Sequence, residues 1–560
     1  MTIDFWDGKR PPGVPSSINL GRYTSLLEVI ETSFEQFQDK DAFTCLGKTL
    51  TFAEMDALSL KLSAWLQNHT NLKPGDAIAI QLPNLLQYPV AAYAAIRAGL
   101  VIVNTNPLYT LTELKHQLND SEAKAVICLD GNLETVLQAS GGSQVEQIIT
   151  TGPVDLITDS QVNQEPTASG GITVTPLLNA LEQGQTAPYS RPPAANQNSL
   201  AMLQYTGGTT GVAKGAMLTH GNIIANIVQY ESIYKEQDSD GNVLVPAGKQ
   251  VVVAPLPIYH IYSFTMCLMV YPSRGDHSIL IPNPRDMDQF VAAIKPFRFT
   301  LLVGLNTLFI GLMAHPDFAR CDFSSLRLTL SGGTALKQDV YQRWKEFTGC
   351  PALEGYGLTE TSPVVSVSPF GEGARIGTVG IPVPGTEIKT VHPDGTQTRQ
   401  GEPGELCVRG PQVMAGYWKR PEATAEVIDQ EGWFHTGDVA EIDPDGHIRI
   451  VDRLKDVILV SGFNVYPNEI EDVVSLCNAV QSCAVIGVPD DKTGEAVRLY
   501  VVSSDESLTQ EKILEHCRQH LTAYKLPRQL LFRQSLPLTA VGKVLRKDLK
   551  KEAEAELAEA

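Results

Sequence analysis

The 560-residue chain lacks any C-x-x-C pair. Its nine cysteines, Cys45, Cys128, Cys267, Cys321, Cys350, Cys407, Cys477, Cys483 and Cys517, stand singly and away from histidine clusters. That spacing disfavours a zinc or disulfide framework and reads as reduced thiols in a cytoplasmic protein. Basic residues are also in deficit, 44 Lys and Arg against 63 Asp and Glu, for a net charge of −19. Nucleic acid is therefore a poor partner, and anionic lipid exerts no broad attraction. No long apolar run is present. The stretch 90–103 is interrupted by Arg97 and Gly99, and 258–271 is too short for a bilayer. The opening MTIDFWDGKRPPG carries no apolar core of a signal peptide. No internal repeat is visible.

The chain does contain YTGGTTGVAKGAMLTH, from Tyr205 to His220. Glycines free successive backbone N–H groups to form an anion-binding nest, and threonine hydroxyls add donors. The P-loop pattern nevertheless fails here, because Lys214 follows Ala213 and precedes Gly215. Context fails too: 200–205 and 215–218 read as strands, with a helix only after Thr219. The loop joins two strands, and a ligand-free flexible turn is the competing reading.

A chain this long exceeds one hydrophobic core, so at least two domains are expected. Strand, helix and strand patterns at 77–82, 90–98 and 100–104, then 125–129, indicate a parallel α/β sheet. Composition at 152–198 shifts to Gly, Pro, Gln, Ser and Asn, which predicts surface excursions. Strand patterns resume at 250–254, 300–303 and 326–330, and a β-rich subdomain follows residue 375, with strands at 405–409 and 447–451. Beyond Asp452, strands at 482–488, 497–503 and 529–533 and a helix at 509–520 outline a small α+β domain. The expected division is 1–452, a hinge at 453–457 and 458–560, with a helix-prone, frayed tail KKEAEAELAEA.

Three further segments offer chemistry. In EGYGLTETSP, Tyr356 between Gly355 and Gly357 has the setting to lay its ring on a planar base, and Glu360 is a candidate oxygen ligand for Mg²⁺. The competing reading is a core tyrosine packed at a glycine turn. HTGDVAEIDPDGHIRIVDR supplies Asp438, suited to ribose hydroxyls, and Arg453, with fork-shaped donors; a structural ion pair is the alternative. In PLTAVGKVLRKDL, Lys543 taken alone reads as a solvated surface lysine.

Together, YTGGTTGVAKG, EGYGLTET, WFHTGDVAEIDPDGHIRIVDRLKD and VGKVLRK follow the order and spacing of the adenylate-forming enzymes, which include acyl-CoA synthetases, luciferases and nonribosomal adenylation domains. Within that superfamily, LPNLLQYPVAAYAAIRAGLVIVNTNPLYT and ILVSGFNVYPNEIEDVV resemble the bacterial long-chain fatty-acid–CoA ligases, over nearly the entire chain. The resemblance implies a large N-terminal domain of stacked α/β subdomains with a β-rich subdomain, a hinge and a small α+β domain. It implies an acid–thiol ligase with ATP, CoA and a long-chain fatty acid as substrates and Mg²⁺ as cofactor.

Carried over by residue, the resemblance assigns Tyr205, Thr206, Gly207, Gly208, Thr209, Thr210, Gly211 and Lys214 to the phosphate loop, with Thr206 also catalytic. Gly332, Gly333, Thr334, Glu354, Gly355, Tyr356 and Gly357 would enclose adenine. Thr359 would meet the α-phosphate, Glu360 the Mg²⁺, and Asp438 and Arg453 the ribose. Lys543 would bridge carboxylate and α-phosphate, Lys455 would be the hinge, and Gly462 would face the pantetheine of CoA. Tyr259, His260, Tyr262 and Gly304 would line the acyl tunnel, although a buried core strand and helix fits the 258–271 pattern as well.

One departure stands out. Where bacterial long-chain ligases often carry a basic, apolar segment, this chain reads GPVDLITDSQVNQEPTASGG, acidic and polar. At most weak or transient contact with the inner membrane face is expected. Oligomeric state is expected to be monomer or homodimer. Alternatives are a medium-chain acyl-CoA ligase, an acyl-AMP ligase that loads a carrier protein, and a non-catalytic fatty-acid-binding relative. The last would lose Lys543, Glu360 or the loop threonines, and all are present.

Overall fold

Two parallel-centred sheets form from the β-branched runs and sandwich apolar helices between them. The computed structural model describes residues 3–158, 167–206, 213–333, 335–477, 479–503, 505, 507–539 and 543–559. One sheet runs Lys214–Thr219, Leu200–Thr206, Val101–Asn104, Ala77–Gln81, Ala125–Leu129, Gln147–Thr151, Ile172–Pro176 and Thr167–Ser169, parallel except at its two outer pairs. The other centres on Asp41–Cys45, His277–Leu280, Val251–Ala254, Leu301–Gly304, Leu328–Gly332 and Ala352–Gly357, all parallel. Helix Gln87–Arg97 between the sheets is buried along its whole length. Its apolar sequence therefore marks a core helix, as expected for a run too short to span a bilayer. Among the described residues no helix is long and apolar enough to cross a membrane.

An antiparallel sheet of Glu387–Val391, Gly404–Arg409, Phe434–Ile442 and Ile448–Arg453 forms the β-rich part. A further sheet follows, in which Gly494–Ser503 pairs with Val480–Asp490, Ile458–Val460 and Gln529–Phe532. Helices Pro467–Ser475 and Gln510–His520 pack on it around their own apolar cluster, which includes Ile458, Ile470, Leu499 and Ile513.

Two expectations need correction. The polar stretch 152–198 is not all excursion: Ile172–Pro176 joins the first sheet beside Gln147–Thr151, and Leu177–Gly184 packs on helix Phe52–His69. Its alternating valine and isoleucine were outweighed by the surrounding polar composition. The tail is not loose either. Helix Arg546–Glu559 docks through buried Leu549 and Ala553, and Arg498 pairs with Glu556 at 2.7 Å.

Candidate active site

The glycine-rich loop leaves one antiparallel strand pair and re-enters it with Lys214 opposite Thr206. Thr219 then caps helix His220–Ile233 in a reciprocal box with Asn222, which fixes the strand-to-helix exit. Gly207, Gly208, Thr209, Thr210 and Gly211 of the loop lie outside the described residues, as does Thr334. Side chains alternate along the entering strand. Gln204 donates to the Tyr259 carbonyl at 3.1 Å, whereas the Tyr205 hydroxyl donates to Asp120 at 2.7 Å, on the opposite face. The Tyr205 ring is buried in the core on that face, and its backbone leads into the loop. Lys214 holds its ammonium 5.0 Å from the centre of the Tyr417 ring, and the Tyr417 hydroxyl donates to Glu360 Oε1 at 2.7 Å.

Strands Leu328–Gly332 and Ala352–Gly357 lie side by side with Gly332 opposite Gly355. Their carboxyl ends form the edge at which open α/β sheets accept ligands. A Cβ on Gly357 would stand 2.0 Å from the Pro363 carbonyl oxygen, so the backbone approach there requires glycine. The Tyr356 hydroxyl donates to Asp438 Oδ2 at 2.6 Å. Asp438 sits opposite Arg453 in the antiparallel sheet, with Arg453 Nε 3.4 Å from Oδ1. Burial raises the Asp438 carboxyl, and the Arg453 cation opposes that rise. Glu354 accepts from the Leu336 N–H at 2.8 Å and is pushed up to about 7 by burial. Thr359 opens the short turn Thr359–Thr361 that carries Glu360, whose carboxyl burial also raises.

Lys543 reaches this edge from the far end of the chain. A Cβ built on Gly333, which has φ +89°, would lie 3.6 Å from Lys543 Cε. Burial, helped by the Arg453 cation and opposed by Asp438, lowers the Lys543 ammonium to about 8. His260 is lowered to about 4, chiefly by burial and further by the Lys543 cation, so its imidazole is neutral at pH 7. Lys543, Gly333, His260, Asp438 and Arg453 thus share one electrostatic neighbourhood.

The apolar run after His260 forms a π-helix, Phe264–Val270, every residue of which is buried. Such turns often occur at functional sites. Tyr262 packs against Gly332, where a Cβ would approach its ring to 3.3 Å. At Gly304 a Cβ would meet the Phe309 ring at 2.6 Å, so this glycine serves close packing rather than an open wall. Thr265 Oγ1 donates to the Ser362 carbonyl at 2.9 Å and joins the π-helix to the turn that holds Glu360. Lys455 lies in the turn Leu454–Asp456 between strands Ile448–Arg453 and Ile458–Val460, its ammonium lowered by burial and by Arg453. Ser461 and Gly462, with φ of 52° and 83°, make the two-residue turn between Ile458–Val460 and Phe463–Val465. Open space surrounds Gly462. Sequence reasoning missed Tyr417, Thr265 and Arg546: Tyr417 lies outside every motif, and Thr265 and Arg546 sit inside quoted segments where nothing in the spacing sets them apart.

Comparison with known proteins gives two family matches. The AMP-binding enzyme family matches residues 30–418, and the AMP-binding enzyme C-terminal domain matches 469–543. A curated long-chain-fatty-acid–CoA ligase of Salmonella typhimurium is 45% identical, with 98% of each chain covered. One from Bacillus subtilis is 35% identical, again over 98% of each. The crystal structure of ATP-bound MatB from Rhodopseudomonas palustris superposes with a TM-score of 0.80 at 28% identity, covering 94% of this chain and 98% of that one.

Proposed function

The chain belongs to the AMP-binding enzyme family, and from that premise we propose how it works as an ATP-dependent long-chain fatty-acid–CoA ligase. A carboxylate oxygen of the fatty acid attacks the α-phosphorus of ATP, and pyrophosphate leaves. The thiol of CoA then attacks the acyl carbon of the adenylate, releasing AMP and the thioester. The observation that carries this reading is the half-buried Lys543 beside Gly333 and Asp438, more than a hundred positions away in sequence from either.

Adenylation brings two anions together, so its barrier falls when their charge is offset and the reacting atoms are held close. Lys543 supplies that cation. No general base is needed, since a fatty carboxylate is ionised at pH 7. Adenine lies on the Tyr356 ring between the glycine-bearing strand ends, and the ribose hydroxyls reach Asp438 and Arg453. Thr206, Lys214 and the loop between them steady the departing pyrophosphate, with Thr359 at the α-phosphate.

Glu360 suits a magnesium ion. Tyr417 holds its Oε1 in place, and a fixed hard anionic ligand is what Mg²⁺ sites built on nucleotide phosphates require. A bound Mg²⁺ would offset phosphate charge there.

Thioester formation has a different geometry, so Lys543 must withdraw and the thiol must enter. Residues 458–560 turn about the hinge at 453–457 with Lys455 as pivot, and the open Gly462 turn comes to face pantetheine. Tyr259, His260 and Tyr262 stand at the mouth of the acyl site, with the buried π-helix as its apolar wall. Each methylene taken from water contributes about 0.8 kcal/mol, which favours long chains.

The test is purified protein with ATP, Mg²⁺, CoA and a series of acids from butyrate to stearate, following AMP and thioester. Both products should appear together and peak with long acids. AMP formation without thioester would overturn the CoA assignment, and a peak at butyrate or hexanoate the long-chain one.

A further inference from the structure

Lys543 is pinned locally on one side. The Thr539 N–H donates to the Lys543 carbonyl at 2.7 Å, and the Lys543 N–H donates to Thr539 Oγ1 at 3.0 Å. On the other side, only Val544 and Leu545 separate Lys543 from Arg546, the first residue of helix Arg546–Glu559. The Arg546 guanidinium turns back into the protein. Its Nη2 donates to Asn468 Oδ1 at 2.8 Å and to Glu471 Oε1 at 2.7 Å, both on helix Pro467–Ser475. Its Nη1 lies 3.6 Å from Asp456 Oδ2 and 4.0 Å from Asp452 Oδ1. Lys550, one helical turn later, stands 3.6 Å from Asp456 Oδ1.

A single cation therefore gathers three carboxylates from three places: the end of strand Ile448–Arg453, the turn Leu454–Asp456, and a helix of the small domain. Asp452 also accepts from the Asn468 N–H at 2.7 Å, so this knot spans both sides of the proposed hinge. Its side chains are largely withdrawn from water, with exposures of 17% for Arg546, 0% for Asp452, 12% for Asp456 and 16% for Glu471. An exposed pair would matter little, but removing Arg546 from this withdrawn cluster leaves Asp452 and Glu471 without their cation and Asp456 with Lys550 alone.

Docking of the last helix does not depend on this knot, since Leu549 and Ala553 are buried in a separate apolar cluster. What the knot fixes is the two-residue lead between that helix and Lys543. We propose that Arg546 is a positioning residue: by tying the backbone that follows Lys543 to Asp452 and Asp456, it holds the Lys543 ammonium at the nucleotide edge for adenylation. This inference rests on the role given to Lys543 above.

The test uses the full chain as wild type, Arg546→Ala, Arg546→Lys and Asp456→Asn, with each half-reaction measured separately. Wild-type palmitoyl-CoA formation from ATP, Mg²⁺, palmitate and CoA checks the underlying ligase reading; its absence would overturn that reading and not the role of Arg546 alone. With wild type active, Arg546→Ala should lower palmitate-dependent ATP–pyrophosphate exchange about 30-fold, through kcat more than through KM for ATP. Palmitoyl-CoA formation from supplied palmitoyl-AMP should stay within about threefold of wild type. Arg546→Lys, which keeps the charge without the fork, should restore part of the exchange. Asp456→Asn leaves Arg546 in place and guards against misfolding of the alanine variant; it should slow exchange about fivefold with the same asymmetry. Equal losses in the two half-reactions, or exchange unaffected in both Arg546→Ala and Asp456→Asn, would overturn the proposal.

Discussion

The Tyr356 hydroxyl donates to Asp438 Oδ2 at 2.6 Å, tying the strand that ends at Gly357 to the separate sheet that carries Arg453. Asp438 is buried and Tyr356 half-buried, and the bond sets the angle between the ring face and the carboxylate. If the base rests on that ring and the ribose on that carboxylate, the bond pre-orients the nucleoside. A hydrogen bond to a charged group contributes about 1.5–3 kcal/mol. Tyr356→Phe keeps the ring and loses the tie, so KM for ATP should rise about tenfold with kcat changed far less. Steady-state kinetics at saturating palmitate and CoA would show it; an unchanged KM would remove the pre-orienting role.

Lys543→Ala addresses the cation itself. Because Lys543 is assigned to the first step alone, pyrophosphate release from ATP and palmitate should fall by at least about 100-fold. Thioester formation from supplied palmitoyl-AMP should persist. Quenched assays of each half-reaction separate the two, and equal loss in both would sink the assignment.

The strand-to-strand setting of the glycine loop was legible, because strand patterns flank it on both sides; the observed pairing of Lys214 with Thr206 follows from that pattern. Short continuous apolar runs such as 77–81 and 125–129 were legible because strands buried on both faces of a parallel sheet have no polar side. The strand Ile172–Pro176 was hidden by its polar neighbours, and the π-helix by an apolar run that suits a core helix, a strand or a tunnel wall alike. The knot around Arg546 was invisible, since its acids and its base are brought together only by folding.

Glu360 is assigned to magnesium as a hard anionic ligand that Tyr417 holds in place at the turn Thr359–Thr361. Glu360→Gln retains the shape and an acceptor but removes the charge. The Mg²⁺ concentration for half-maximal adenylation should rise about tenfold or more, because a hard cation favours anionic oxygen. Titration with Mg²⁺ at fixed ATP reads this directly. Superimposable curves for variant and wild type would count against the metal role.

The position of the Lys543 pKa gives the pH prediction its sign. Burial and Arg453 depress it to about 8, so in the free enzyme the ammonium is charged below that pH and neutral above it. A neutral amine cannot offset carboxylate and phosphate charge. Adenylation kcat/KM, which reports free-enzyme groups, should therefore hold up to pH 7 and then fall towards one decade per pH unit beyond about 8. Other alkaline titrations could imitate that limb, so the decisive comparison is Lys543→Arg, whose guanidinium stays charged throughout. Whatever adenylation the arginine variant retains should lack the falling limb between pH 7 and 10. A limb with the same midpoint in both proteins would assign it to another group and remove the case for a titrating Lys543.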